Sequence, residues 1–203
     1  MRYRRYQRFK LSPILVLIAV NFLLFIATLI APGLIFLLGL QPAGFLLRPW
    51  TIVTNLFIHA GWWHIFANML TLYFFGTYLY RLIGQGKFLF VYFGGGILGS
   101  IFYIFLTLLG GILSIRFFGS PFILAVGASG AVFALAGALV VMRPKLPVLI
   151  FPIPVPIPIW LAVFGGFLIL SFLPYIAWQA HLGGLVLGLI AGSFFRKRER
   201  YFF

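Results

Sequence analysis

The sequence predicts an all-α, polytopic membrane protein, a bundle of six transmembrane helices within residues 11–195, and three observations predict it. Of its 203 residues, 64% are hydrophobic, 20% aromatic and only 8% charged, and a soluble fold with that balance would have an apolar surface. Apolar stretches recur along the chain, several of them near the roughly 20 residues a bilayer crossing requires. The basic residues gather at the two ends of the chain and in particular turns, as they do when they flank membrane spans.

Each element follows in order. Residues 1–10 hold Arg2, Arg4, Arg5, Arg8 and Lys10 and read as a basic cytoplasmic N-terminus. The apolar run 11–31 closes at Pro32-Gly33. A secretory signal peptide opens similarly, but this run is longer than the usual signal core and lacks a small-x-small cleavage site. It is read as the first span. From Leu34 to Trp63, glycines and prolines interrupt the apolar pattern, and Trp50, Trp62 and Trp63 suit a membrane–water interface. This reads as an interfacial loop with short helical turns, a backbone tolerated at membrane depth only when its polar groups are satisfied by protein.

The second span is read over 64–83 and the third over 88–109, where Gly94, Gly95, Gly96, Gly99 and Ser100 offer a packing face. No Gly-Lys-Ser pattern follows these glycines, so they do not read as a phosphate loop. An outer loop precedes the fourth span, 129–142, which Arg143-Pro144-Lys145 ends. Pro152, Pro154, Pro156 and Pro158 then alternate with apolar residues. Proline has no N–H to give a helix, so this stretch reads as a stiff extended connector into the fifth span, 159–173. The sixth span is read over 177–195, and 196–203 is a basic tail.

Six spans put both ends on one side. Thirteen of the fifteen Lys and Arg residues fall there, with only Arg48 and Arg116 opposite. The positive-inside rule makes that side cytoplasmic, in a cell membrane. The same distribution assigns the formal charge of +14 to anionic lipid of the bilayer and not to nucleic acid.

Composition also excludes chemistry. There is no cysteine, hence no thiol catalysis and no thiolate metal site. The one acidic residue, Glu199, lies in the basic tail, so no carboxylate pair or Asp-oriented triad can form within the membrane. Three histidines could make a metal site only if His59 joined the other two, and neither metal nor other cofactor is expected.

What remains is a layer of polar residues. Counted from the nearest cytoplasmic basic anchor at about 1.5 Å per residue, Ser129 lies about 21 Å deep, His181 about 22 Å, Asn68 about 20 Å and His64 about 26 Å. Three helices thus bring polar side chains to one level inside a hydrocarbon core about 30 Å thick, where such groups face the bundle interior or a wet cavity. His64 and Asn68 share a helix face, as do His181, Gly184 and Gly188, and as do Ser129, Phe133 and Gly137. Small residues let helices approach closely, and packing the last two faces together would bring Ser129 and His181 within hydrogen-bond reach. A serine beside a histidine is an arrangement for acyl transfer, with Ser129 the nucleophile and His181 its base. Without a carboxylate the pair is a dyad, its imidazole oriented by stacking on Phe133. His64, Asn68 and the Ser129 amide would donate to the oxyanion. Interhelical hydrogen bonding, or the lining of a transport path, is the alternative for the same residues. His59, above the layer, is expected to hydrogen-bond loop backbone.

The chain resembles the rhomboid family of intramembrane serine proteases, in its basic prokaryotic six-helix form. The resemblance is carried by Arg48-Pro49-Trp50-Thr51, by His59 with His64 and Asn68, by Gly127-Ala128-Ser129-Gly130, and by Ala180-His181 with Gly184 and Gly188. It implies a serine endopeptidase that cleaves transmembrane segments of membrane-protein substrates. By that resemblance Ser129 and His181 are the catalytic dyad, and His64, Asn68 and Ser129 serve the oxyanion. Gly127, Gly130, Phe133, Gly184 and Gly188 support them. The fifth helix and the loop above the site would control access, with small residues preferred before the scissile bond. Two departures stand out. Leu79-Tyr80-Arg81 replaces a region where the family often carries a glutamate, and Phe133 stands where many members have tyrosine. A catalytically silent relative that binds transmembrane helices, and a small transporter, are the competing readings.

Overall fold

Proline 13 opens the first helix at a position where its missing N–H leaves no gap in the ladder. The computed structural model describes residues 12–149, 154–173 and 176–199. The expectations for residues 1–10, for Pro152 and for Arg200 lie outside the described residues.

Helix α1 (Pro13–Ile30) leads into α2 (Gly33–Leu38), a 3-10 turn at Pro42–Gly44, α3 (Thr51–Thr54) and a second 3-10 turn at Asn55–Phe57. This interfacial stretch satisfies its own polar groups, as its depth requires. Arg48 donates to the Phe36 carbonyl, the Trp50 indole to Leu37 at 2.9 Å, and the Thr54 hydroxyl to Leu38 at 2.7 Å. It is also stitched to the loop before Ser129. Leu40 and Ala125 exchange backbone hydrogen bonds at 3.0 and 2.8 Å, and the Gln41 amide donates to the Phe122 carbonyl at 2.8 Å.

The second span is longer than 64–83. Helix α4 (Trp62–Thr71) passes through a π turn at Leu72–Gly76 into α5 (Thr77–Ile83). Helix α6 (Gln85–Leu113) also outruns its expected bounds. Its 29 residues extend about 44 Å. A short helix, α7 (Ile115–Phe118), lies in the outer loop, followed by α8 (Ser129–Met142), α9 (Ile159–Ser171) and α10 (Trp178–Glu199). The end of the stretch read as a stiff extended connector is extended, and it pairs β2 (Ile157–Pro158) with β1 (Pro147–Val148) in antiparallel register. Pro147 and Pro158 face one another. Neither N–H is missed there, because alternate antiparallel pairs exchange no hydrogen bonds.

Helices α1, α6 and α10 are each long and apolar enough to cross a membrane, whereas α8 and α9 are shorter apolar helices. Helix α8 is apolar on every face and therefore central. Nearly all of its residues from Gly130 to Met142 are buried, against α10 above all, then α6, the π turn and α9. At 14 residues it measures about 21 Å, less than the hydrocarbon thickness of about 30 Å, so it cannot reach both membrane surfaces.

The α8–α10 seam is a backbone contact. A Cβ on Gly184 would collide with the Gly130 carbonyl, one on Gly188 with the Ala134 carbonyl, and one on Gly192 would sit 2.7 Å from the Ala138 oxygen. At the far end of the bundle, Arg196 donates to the Val141 carbonyl at 3.1 Å, and Lys87 lies 5.3 Å over the Phe195 ring. Lys87 of α6 and Arg196 of α10 thus lie by the C-terminal turn of α8.

Forcing side chains into this seam should be costly where the same change on a lipid face is not. Gly188→Leu is expected to destabilise the bundle by about 1–3 kcal/mol or more. Gly165→Ala in α9, where a Cβ meets nothing within 4 Å, should stabilise it by roughly 0.5–1 kcal/mol. Thermal unfolding in detergent micelles checks both.

Candidate active site

The turn that delivers Ser129 is built by Gly127, whose φ of +125° is a left-handed conformation that side chains disfavour. Its N–H donates to the Asn55 carbonyl at 2.9 Å. A Cβ on this glycine would lie 2.7 Å from His64 Nε2 and 3.7 Å from Ser129 Oγ. Glycine is thus required for both conformation and space. Ser129 is the first residue of α8, and the first intrahelical bond runs from the Val132 N–H to Ala128 at 2.9 Å. The amides of Ser129, Gly130 and Ala131 consequently have no intrahelical acceptor and are disposed towards negative charge.

From the first turn of α10, His181 reaches back so that its Nε2 lies 2.8 Å from Ser129 Oγ. The Phe133 ring stacks on this imidazole at 4.6 Å and 27°, and is itself met edge-on by Phe167 of α9 at 6.0 Å. His181 is buried, and its Nδ1 has no hydrogen-bond partner among the described residues. A base that accepts the serine proton at Nε2 must carry its own proton on Nδ1. The ring contacts that orient it are the hydrogen bond to the serine and the stack on Phe133.

His64 approaches from α4. Its Nδ1 accepts the Ala60 N–H at 3.4 Å, which assigns the ring proton to Nε2, the nitrogen beside Gly127 and Ser129. Asn68 lies one turn deeper on the same helix. Its amide nitrogen donates to the His64 carbonyl at 2.8 Å, leaving one N–H on that nitrogen for another partner. The structure thus gathers Ser129, His181, Phe133, His64 and Gly127 at one point, and holds Asn68 on the same helix face below them.

His59 differs from its expectation. It is fully buried and edge-on to His64 at 5.0 Å, and although the Phe57 backbone is close, neither ring nitrogen completes a hydrogen bond. Among the described residues, no three of His, Cys, Asp and Glu cluster so as to hold a metal ion.

Two further residues support the site. The Asn55 side chain donates to Ser100 Oγ of α6 at 3.0 Å, and Ser100 donates in turn to the Ile52 carbonyl at 2.9 Å. This network fixes the 3-10 turn whose carbonyl holds Gly127. Only the unusual polarity of Asn55 and Ser100 in an apolar setting could have signalled them.

The chain is similar to known proteins over most of its length. The Rhomboid domain family matches residues 47–198. Relatives include "Rhomboid protein 1, mitochondrial" of Saccharomyces cerevisiae, 30% identical over 161 residues, or 72% of this chain and 42% of that protein. "Putative rhomboid protease YdcA" of Bacillus subtilis is 33% identical over 94 residues, covering 46% of this chain and 41% of its own. "Inactive RHOMBOID-like protein 8" of Arabidopsis thaliana is 29% identical over 137 residues, 68% of this chain and 35% of that one. The chain therefore spans less than half the length of these relatives. With a family match across most of its length, on a helical membrane bundle, the chain belongs to the rhomboid family.

Proposed function

We propose that this rhomboid is an active intramembrane serine endopeptidase that cleaves transmembrane segments of membrane proteins through a Ser129–His181 dyad. The observation that carries the reading is the 2.8 Å approach of His181 Nε2 to Ser129 Oγ, at the sunken end of a helix too short to cross the bilayer.

Ser129 Oγ attacks the scissile carbonyl carbon as His181 Nε2 takes its proton. The carbonyl π electrons move to oxygen, and this oxyanion is met by the His64 Nε2–H and the Ser129 amide, with Asn68 supplying its remaining N–H. As the tetrahedral intermediate collapses, the C–N bond breaks and His181 returns the proton to the leaving amine. A water then attacks the acyl ester, giving its proton to His181, and Ser129 Oγ departs and is reprotonated. No step requires a carboxylate. The imidazolium is stabilised only by Phe133 and by the oxyanion itself. Orientation follows the positive-inside rule, with both ends of the chain cytoplasmic and the site opening towards the other face. Small residues before the scissile bond are the expected preference.

The Arabidopsis relative named inactive motivates a second reading, a silent protein that binds transmembrane helices. Chemistry at Ser129 separates the two. A fluorophosphonate probe should label the wild-type protein on Ser129, and Ser129→Ala should lose labelling and cleavage while still binding a transmembrane peptide. A wild-type serine that resists the probe would favour the silent protein.

His181→Ala should slow labelling by about 10²–10⁴-fold, since the hydroxyl then lacks its base. Labelling at the wild-type rate would remove the dyad. Gly127→Ala should lower kcat by roughly 10²–10³-fold, the scale of losing one oxyanion donor, because its methyl group displaces His64. KM for a transmembrane substrate in proteoliposomes should change far less.

A further inference from the structure

The proline-alternating stretch between α8 and α9 has no part in the chemistry above, and its geometry is specific. Ile159 donates its N–H to the Leu146 carbonyl at 2.8 Å, so the N–H of Ile159 points inward to the β1 side. Amide directions alternate along a strand. At Pro158 the amide would point to the outer edge, and proline has none. Pro147 is its partner across the pair and also lacks an N–H. Pro154 and Pro156 continue the pattern in the sequence. The outer edge of this hairpin is therefore poor in hydrogen-bond donors.

Its side chains are equally distinctive. Leu149 and Val155 are 72% and 60% exposed. From Leu146 to Phe195 the chain contains no Lys, Arg, Asp or Glu. An exposed apolar edge strand in water is a template for aggregation. With the N–H groups absent, the outer edge leaves only carbonyls to be met by water and headgroups, which suits the acyl–headgroup boundary and not the hydrocarbon. The hairpin joins the C-terminal end of α8 to the N-terminal end of α9, at the level where Arg196 meets Val141. It is therefore continuous with the exposed apolar face of α9, which carries Trp160, Leu161 and Phe164. Arg143 and Lys145 immediately precede it, and no acidic residue lies among positions 12–198. That charge complements anionic headgroups.

We infer that the β1–β2 hairpin is a lipid-seated anchor, its apolar edge lying at the acyl–headgroup boundary of the leaflet at the Arg143 end of the bundle and its cationic shoulder binding anionic phospholipid. Addition of a partner's strand, the usual fate of a free edge, is disfavoured by the same prolines. The anchor fixes the base of α9, because β2 runs directly into Ile159.

The chain has no cysteine, which makes single-cysteine labelling clean. Leu149→Cys and Val155→Cys would each carry an environment-sensitive nitrobenzoxadiazole dye, with Gln85→Cys in the α5–α6 turn as the aqueous reference. The protein would be reconstituted in phosphatidylcholine vesicles with and without phosphatidylglycerol, in wild-type and Ser129→Ala backgrounds, so that the readout is independent of catalysis. Both hairpin dyes should emit to the blue of the reference, be quenched severalfold more by acyl-chain nitroxide lipids, and resist aqueous iodide. Omitting phosphatidylglycerol, or introducing Lys145→Gln, should weaken the lipid-borne quenching. Iodide quenching equal to that at Gln85 would overturn the anchor. So would a blue shift that appears only on adding soluble protein, which would mark a protein-docking edge. Quenching indifferent to both phosphatidylglycerol and Lys145 would overturn the anionic-lipid assignment.

Discussion

The backbone contact between α8 and α10 is the constraint on which the rest of this molecule depends. Gly184, Gly188 and Gly192 repeat at one-turn spacing and lie against Gly130, Ala134 and Ala138, which repeat with the same period. Small residues in register let the helix axes approach more closely than side chains would allow. Ser129 immediately precedes the first of these contacts on α8, and His181 lies just before Gly184 on α10. The separation of the hydroxyl and the imidazole is therefore set by the seam beneath them. One added methyl group would be felt as a shift of the two reacting atoms, because packed interiors do not absorb volume without movement.

That dependence is sharpened by the shortage of acids. In a triad a carboxylate holds the histidine ring and fixes its tautomer. Here the one acidic residue is Glu199 in the tail and His181 Nδ1 has no partner among the described residues, so orientation passes to apolar packing. Phe133 stacks on the ring, and Phe167 of α9 braces Phe133. The arrangement couples the Ser129–His181 pair to α9, since a displacement of that helix would release the brace. It also shows how a hydroxyl absent from Phe133 can be dispensed with, as stacking needs only the ring face.

The roof of the site is held by a different kind of bond. Irregular backbone at membrane depth must find its hydrogen-bond partners within the protein. The interfacial stretch from Gly39 to Phe57 does so by pairing with the loop before Ser129 and by the Asn55–Ser100 link to α6. These bonds hold Gly127 in its left-handed conformation and thereby aim the amides at the N-terminus of α8. The shortness of α8 is what makes room for such a roof within the bilayer.

Much of this was legible in the chain itself. Composition alone determined a membrane bundle, because no soluble surface can be made from so few charged residues. Counting from basic anchors brought Ser129, His181, His64 and Asn68 to one level, since rise per residue in a helix is nearly constant. Helical periodicity put the glycines of α10 on the His181 face. Helix ends were less legible, as α4, α6 and α10 run past their apolar cores into turns that apolarity alone does not mark. Only tertiary structure decided that the Asn68 amide turns to the His64 carbonyl, that His59 is buried edge-on to His64, that Asn55 and Ser100 brace the Gly127 turn, and that Pro158 pairs with Pro147 across β1 and β2. The physical reason is common to all four. Periodicity and depth are properties of one segment and its solvent, whereas the choice among several nearby hydrogen-bond partners is made by segments far apart in sequence that meet only when the bundle closes.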